Sequence, residues 1–312
     1  MSRHAYRPTI APQPDCCRGA LRAPLGGDRP PLQRPAIARV IRRAIVFALA
    51  SALLCALFLS QAVAAPQTVT RDPQALTLIA SSLKALTGST TVNDVILQAT
   101  ASYVAGSDEE TGTTTLTASG NQLSLVQLNL SGGTRQEIRN GPAGAWSGPD
   151  GTAHSMATHN CWTDAGWFFP ALTLEAIAAD PQTAVSYLGT DTSKGKPLLH
   201  LQVTRAPASQ TADVTALILT LSSMDIYLDP QSFLPLVLDF NTHPDIDAGT
   251  NLPVEIQFGN FQNLNGALVP FHIQKFLQRS LLLDLTVTNV VVNSGVPSST
   301  FTLPATATGG AQ

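Results

Sequence analysis

The chain has 312 residues, of which 18 are Lys or Arg and 21 are Asp or Glu, giving a formal net charge of −3. Charged residues make up 12% of the sequence and hydrophobic residues make up 44%. This much apolar side chain can build a core, so the composition excludes a largely disordered protein. The mild negative balance also excludes a nucleic-acid-binding protein, which would carry a basic surface.

The charge is distributed unevenly along the chain. Nine basic and two acidic residues precede position 44, so this segment has a net charge of +7. The remaining nine basic and 19 acidic residues give the rest of the chain a net charge of −10. An uncharged run, 44–65, follows Arg42 and Arg43 directly, and it has Ala62 and Ala64 near its end. A basic flank, an apolar run and small residues at the −3 and −1 positions are typical of a secretory signal peptide.

We therefore predict that residues 1–64 form a leader and signal peptide, and that residues 65–312 form one exported β domain in the periplasm. The alternative is an uncleaved helix over residues 44–65 that anchors the protein to the inner membrane, because a run of this length can span a bilayer. Apart from this segment we expect no membrane contact. Cleavage would leave Cys161 as the one cysteine of the exported chain, which then could form no internal disulfide.

One amphipathic helix is predicted directly after the leader. Asp72 is a suitable N-cap, and Pro73 is favoured at the first position of a helix. Apolar residues then recur at helical spacing, and Gly88 is a typical C-terminal cap. The apolar stripe consists of Leu76, Ile79, Leu83 and Leu86. A helix with a single such stripe must lie on another apolar surface.

The rest of the chain is predicted to be an antiparallel sheet. Alternating patterns and turn residues predict four strands at 92–104, 111–118, 123–130 and 134–140. Five more short strands follow between 225 and 288, with a strong hairpin signal at Asn265-Gly266. Residues 144–181 break this pattern: they hold all three tryptophans and a short predicted helix at 172–179. Residues 212–222 are compatible with a strand or a helix.

These elements predict a fold of the mainly β (α+β) class. We expect an open, curved antiparallel barrel with an N-terminal amphipathic helix. A short helical and aromatic insertion would cover the concave face of this barrel.

No common catalytic or cofactor-binding motif is present, so we expect no catalytic residues, no metal and no cofactor. Two weaker patterns remain. His154, His159 and Cys161 could form a nucleophile pair or supply metal ligands, which leaves a cysteine-dependent hydrolase as an alternative function. Residues 243–251 carry two aspartates at a spacing seen in calcium loops, but the closing Glu is missing, so a solvated hairpin loop is expected. The acidic run 108–110 is likewise expected to be a solvated turn.

The aromatic cluster of the insertion is the strongest candidate for a ligand site. It can line or cover an apolar pocket in the mouth of a barrel, together with the apolar face of the first helix. A filled core is the alternative, and it would make the protein a purely structural module of the envelope. The candidate ligand-binding residues are Leu76, Ile79, Leu83, Trp162, Trp167, Phe168 and Phe169.

The order of a signal peptide, one helix and many strands resembles the periplasmic lipoprotein carrier (LolA/LolB-like) superfamily. The phrases MDIYLDPQSFLPLVLDF, NGALVPFHIQKF, LLLDLTVTNVVVN and SSTFTLP are similar to the last strands of that family, and closest to its uncharacterised exported members. The resemblance implies an unclosed barrel with a helical lid over a cavity for lipid chains. It therefore implies a non-enzymatic carrier or binding protein for a lipid or lipid-modified protein of the cell envelope, with acyl chains as the partner. The stretch 146–181 has no counterpart in that pattern.

Overall fold

The computed structural model describes residues 69–305, with the exception of residues 89, 121, 206–210 and 265. The predicted leader, 1–64, lies outside the described residues, so the signal peptide, the membrane anchor and the domain boundary stay predictions. Within the part of the chain that is described, no helix is long and apolar enough to cross a membrane.

Helix α1 (Pro73–Thr87) begins and ends as its sequence predicts. The Asp72 side chain accepts a hydrogen bond from the Gln74 backbone N–H at 2.9 Å, and Gly88 follows the helix with a φ of 64°. Its buried face is centred on Ala75, Ile79, Ser82 and Leu86. Leu76 and Leu83 are half-buried and lie beside this face, so the buried stripe is rotated slightly from the predicted one.

Thirteen strands form one antiparallel sheet. They are β1 (Asp94–Ala105), β2 (Asp108–Ser119), β3 (Leu123–Leu130), β4 (Gly133–Asn140), β5 (Ala143–Ser147), β6 (Ala153–Met156), β7 (Thr183–Asp191), β8 (Leu198–Arg205), β9 (Met224–Leu228), β10 (Pro235–Thr242), β11 (Leu252–Leu264), β12 (Ala267–Leu277) and β13 (Ser280–Val292). The order across the sheet is β6-β5-β4-β3-β2-β1-β13-β12-β11-β10-β9-β8-β7. The two halves, β1–β6 and β7–β13, each pair with their sequence neighbours, and they meet at β1 and β13.

The sheet is open, with β6 and β7 as its two edge strands. Residues 157–182 connect these edges, and they contain a 3₁₀ helix (Thr158–Trp162) and helix α2 (Pro170–Ala179). A third helix, α3 (Ala212–Leu221), joins β8 to β9, so the ambiguous stretch 212–222 is helical. The open, mainly β fold with one N-terminal helix and a helical insertion is confirmed.

One face of the sheet, which we call the inner face, carries the buried apolar side chains. Ile256 and Leu285 are fully buried there, whereas Glu255 and Asp284 beside them in sequence are half-exposed. This alternation is what an antiparallel sheet with one covered face requires. Helix α1 packs against α2, β7 and β12, and the side chains of Phe168 and Phe169 join the same core.

The edge strand β7 is protected by the segment that precedes α1. Backbone hydrogen bonds of 2.9 Å join Val185 to Thr70 and Asp72, so a short piece of chain pairs with this edge. The Arg71 guanidinium donates hydrogen bonds to four carbonyls at the end of α2 and the start of β7, those of Ile177, Ala178, Asp180 and Thr183. Covering an edge in this way blocks pairing with another chain.

Two parts of the sheet differ from the sequence expectation. The acidic run 108–110 is not a turn, because it pairs with β1 as the start of β2 and the turn is made by Gly106 and Ser107. Strand β6 and all but the first residue of β5 lie within the stretch 144–181, and β7 and β8 follow it; none of these four was predicted. The 3₁₀ helix Ser298–Phe301 packs on β3 and β4 and buries Phe301 completely.

Candidate binding pocket

A cavity of about 320 Å³ opens on the inner face of the sheet. Side chains from β1, β3, β4, β5, β12 and β13 line it, together with one residue of the insertion. The lining residues are Tyr103, Val126, Leu128, Arg135, Gln136, Glu137, Trp146, Ser147, Gly148, Trp167, Lys275, Leu282 and Leu283. Strands β4 and β12 are far apart in the strand order, so only a strongly curved sheet can bring both to one cavity.

The register of the sheet explains which side chains face this cavity. Val126, Glu137 and Trp146 are directly opposite one another on β3, β4 and β5. Directly opposed residues of an antiparallel sheet point to the same face, so these three share the inner face.

Trp167 forms the wall that the insertion contributes. Its side chain is 2% exposed, and its ring meets that of Phe168 edge to face at 5.5 Å between centroids. The Lys275 ammonium lies over the Trp167 ring, 4.5 Å from its centroid. Such a cation–π contact fixes the position of a long, flexible side chain.

Two carboxylates of this region are held by arginines. Glu110 and Arg135 form a two-pronged ion pair with distances of 2.6 and 2.9 Å, and the guanidinium of Arg135 also lies over the Tyr103 ring at 4.8 Å. The hydrogen bond from Arg135 is the main cause that lowers the pKa of Glu110. Inside the cavity, Glu137 accepts a hydrogen bond of 3.0 Å from Arg139.

Glu137 and Lys275 both line the cavity, and burial and neighbouring charges have opposing effects on the pKa of each. Burial alone would raise the pKa of Glu137, but Arg139 and Lys275 outweigh it and hold that pKa below its usual value. Burial lowers the pKa of Lys275, and Glu137 opposes this only in part. The Glu137 carboxylate and the Lys275 ammonium therefore each offset part of the cost of burying the other.

Of the seven residues predicted to bind a ligand, Trp167 lines this cavity. Ile79, Phe168 and Phe169 are buried in the core, and Leu76, Leu83 and Trp162 are half-buried. These six residues do not line the cavity, and their role in ligand binding stays a prediction.

The Cys161 thiol is in a poor position to act as a nucleophile. It is 4% exposed, and burial raises its pKa. His154 stacks on Trp146 at 4.4 Å, and the Nε2 of His159 lies 3.2 Å from the carbonyl oxygen of Pro244. Among the described residues, no hydrogen bond joins the thiol to either histidine.

The loop after β10 is a hairpin loop whose residues are mostly exposed, and its start packs against the insertion. His243 is 4% exposed, and the Asp245 carboxylate accepts hydrogen bonds from the Ala157 backbone N–H and from the Asn160 amide. Asp247 bonds to its own loop, at Thr250 and at the Gly249 N–H. No group of three or more metal-ligating side chains occurs in the residues described.

A second depression, of about 350 Å³, lies beside β8, β10 and β11 and is more polar. The Lys194 ammonium sits in it, 2.6 Å from an oxygen of Asp239 and 2.6 Å from an oxygen of Glu255. The wall of this depression is more polar than that of the cavity at Trp167, so that cavity is the better candidate for an apolar ligand.

Several solved structures are similar to the chain at low sequence identity. The chain is similar to proteins of the LolA superfamily. A LolA superfamily protein from Nitrosomonas europaea is 14% identical, with a TM-score of 0.46 over 73% of this chain and 97% of that one. A domain described as an outer membrane lipoprotein-sorting protein, from Vibrio parahaemolyticus, is 13% identical, with a TM-score of 0.45 over 73% of this chain and 96% of that one.

A DUF1329 family protein from Desulfovibrio piger is 11% identical, with a TM-score of 0.45 over 75% of this chain and 98% of that one. No family model and no curated protein sequence matches the chain.

Proposed function

We propose that the chain is an exported, non-enzymatic carrier or binding protein for a lipid or lipid-modified protein of the cell envelope. The ligand would place one acyl chain in the cavity at Trp167. The observation that carries this proposal is the cavity itself, which has mostly apolar walls, is open to solvent and lies on the inner face of a curved sheet.

The size of the cavity limits what it can hold. At about 320 Å³ it lies at the lower end of the roughly 300–1,000 Å³ typical of small-molecule sites. One chain fits such a space, whereas several chains of one lipid would not. Burying about 200 Å² of acyl surface would contribute roughly 5 kcal/mol before the cost of association. This burial alone would therefore give a dissociation constant of about 0.2 mM or weaker.

The lining residues favour binding over catalysis. Ser147 borders the cavity, but it follows Trp146 on β5, so its hydroxyl points to the other face of the sheet. A serine that does not point into the cavity cannot act there as a nucleophile. The hydrolase alternative would need Cys161, whose burial and raised pKa argue against it.

A purely structural module remains as a second candidate, because one observation favours it. The space beneath α1 is filled by Ile79, Phe168 and Phe169, each 2% exposed or less. A structural module would take up no lipid, so the binding experiment below decides between the two candidates.

The experiment is to express the full chain in a bacterial host, purify the product and examine it by native mass spectrometry for bound lipid. The purified protein is then titrated with N-phenyl-1-naphthylamine, whose fluorescence rises in an apolar site. A blocking variant, Val126→Trp, enlarges a side chain that the register directs into the cavity. The matched control is Val291→Trp, which makes the same change at an exposed position on β13 that does not line the cavity.

We expect saturable dye uptake by the unmodified protein and by Val291→Trp, and at least a fivefold loss in Val126→Trp. Absence of both bound lipid and dye uptake would overturn the carrier proposal in favour of the structural module. Equal uptake by both variants would show that any ligand binds elsewhere.

A further inference from the structure

Lys275 is an unusual residue for the inner face of the sheet. On β12 it lies directly opposite Ile256 of β11 and Leu283 of β13, and these two apolar residues are 0% and 4% exposed. Its ammonium reaches the cavity and lies over Trp167. A positive charge at a position between two buried apolar residues costs free energy unless it gains a partner.

No carboxylate lies within 4 Å of the Lys275 Nζ among the described residues, whereas Arg135 and Arg139 beside the cavity and Lys194 on the other face of the sheet are paired. Lys194 has two carboxylate partners, Arg135 has Glu110, and Arg139 has Glu137. Glu137 lines the same cavity as Lys275, but its hydrogen bond goes to Arg139. Lys275 is therefore the cation in this cavity whose charge is not neutralised by direct contact.

The charges around the cavity add to a small positive excess. Three cations (Arg135, Arg139 and Lys275) stand against two carboxylates (Glu110 and Glu137). This excess is local, because the chain after residue 44 has a net charge of −10. A ligand with one negative charge would neutralise this excess, and a second negative charge would be repelled by the Glu137 carboxylate.

We propose that the cavity binds a single-chain amphiphile with one carboxylate headgroup, whose oxygens accept hydrogen bonds from the Lys275 ammonium. The chain lies against Val126, Leu128 and Leu283. This inference rests on the proposed function, since it specifies the class of lipid that the same cavity takes. The ammonium is already held by Trp167, so little freedom is lost when the carboxylate arrives.

The test compares ligands that differ only in the headgroup, each competing with N-phenyl-1-naphthylamine at fixed pH and ionic strength. Decanoate carries one negative charge, decanol is neutral, decyl phosphate carries up to two negative charges, and decyltrimethylammonium is a cation. On the unmodified protein we expect decanoate to bind about tenfold more tightly than decanol, as a charge-assisted hydrogen bond predicts. Decyl phosphate should bind more weakly than decanoate, and the cation should bind most weakly.

Variants assign this preference to Lys275. Lys275→Met keeps the unbranched shape and most of the length of the side chain without its charge, and it should lower the affinity for decanoate about tenfold while decanol binds as before. The control is Lys196→Met, at an exposed position outside the cavity, where neither affinity should change. The ligand series on the unmodified protein needs no variant, so the inference can be tested even if Lys275→Met does not fold.

Each result has a distinct meaning. Equal affinity for decanoate and decanol would overturn the carboxylate inference and leave the proposed function intact. A parallel loss of both ligands in Lys275→Met would show that Lys275 acts by packing, which also overturns it. Tighter binding of decyl phosphate than of decanoate would reject the preference for one charge. Failure of all four ligands to displace the dye would count against the proposed function as well.

Discussion

Asn160 and His243 bind each other through two hydrogen bonds, although they belong to opposite halves of the molecule. The Asn160 side-chain amide donates to the His243 carbonyl oxygen at 2.7 Å, and its oxygen accepts from the His243 backbone N–H at 2.9 Å. Asn160 lies in the insertion that follows the first six strands, and His243 lies in the loop after β10. This pair holds the insertion against the second half of the sheet.

We expect Asn160→Ala to lower the free energy of unfolding by about 1–3 kcal/mol, because it leaves buried backbone groups of His243 without partners. Urea unfolding followed by far-ultraviolet circular dichroism measures this change. Asn251→Ala is the control, since Asn251 is exposed in the same loop and should change stability by less than about 0.5 kcal/mol. Equal effects of the two substitutions would contradict the role of the pair.

The hairpin between β12 and β13 offers a stabilising substitution. Its two loop residues, Gln278 and Arg279, have φ angles of 51° and 69°. Residues other than Gly and Asn adopt such positive φ angles only at a cost in free energy. We predict that Arg279→Gly raises the free energy of unfolding by about 0.5–1 kcal/mol. Ser280→Gly, at the first position of β13, should instead lower it, because glycine weakens a strand. Thermal unfolding of both variants tests the opposite signs.

A row of carboxylates lies on the face of the sheet opposite to the inner face, and it makes Lys194 important for stability. Asp225, Asp239 and Glu255 are directly opposite one another on three neighbouring strands, and like charges in this arrangement repel. Lys194 bridges Asp239 and Glu255 at 2.6 Å. Burial raises the pKa of Asp239 even with this ammonium present.

We predict that Lys194→Met lowers the free energy of unfolding at pH 7 by about 1 kcal/mol, after allowance for solvent screening. The raised pKa of Asp239 means that its ionised form opposes folding, so its contribution to stability is present at low pH and lost as pH rises through the folded-state pKa. Removal of the ammonium raises that pKa further. The variant should therefore be closer to the unmodified protein at pH 4 than at pH 7, whereas Lys196→Met should match it at both. A larger deficit at pH 4 would contradict this explanation.

The thiol of Cys161 should react slowly in the folded protein. Its side chain is buried and its pKa is raised by burial, so little thiolate is present at neutral pH and reagents cannot reach it. We expect labelling with dithionitrobenzoate to be complete only after denaturation. The Cys161→Ala variant identifies the signal that belongs to this residue. Rapid labelling of the native protein at pH 7 would restore the hydrolase alternative.

Much of the fold could be predicted because the relevant signals are local. The alternation of Val254, Ile256 and Phe258 with polar residues fixes both a strand and its buried face. Strands β5 and β6 could not be predicted in this way, because they are short and their inward residues include the exposed Trp146 and His154. They are held in place by pairing with β4, which is a tertiary effect.

Only part of the pocket could be predicted from the sequence. Its aromatic wall, Trp167, was among the expected residues, but the charged groups were not. Extending the alternation from Val269 through Ile273 places Lys275 on the inner face, so this signal was present. No local signal could show that β12 and β4 face each other across the cavity, since that depends on the curvature of the whole sheet.

The strand order has a consequence for how this protein assembles. Within each half of the sheet, every strand pairs with its sequence neighbour, and such contacts form quickly. The two halves meet where Val95 on the first strand pairs with Val292 on the last, so this seam closes a loop that contains nearly the entire domain. A chain that is threaded across a membrane from its N-terminus would expose the edge of β1 until β13 has emerged. We therefore expect the exposed β1 edge to be the point at which the unfinished domain is most prone to aggregate.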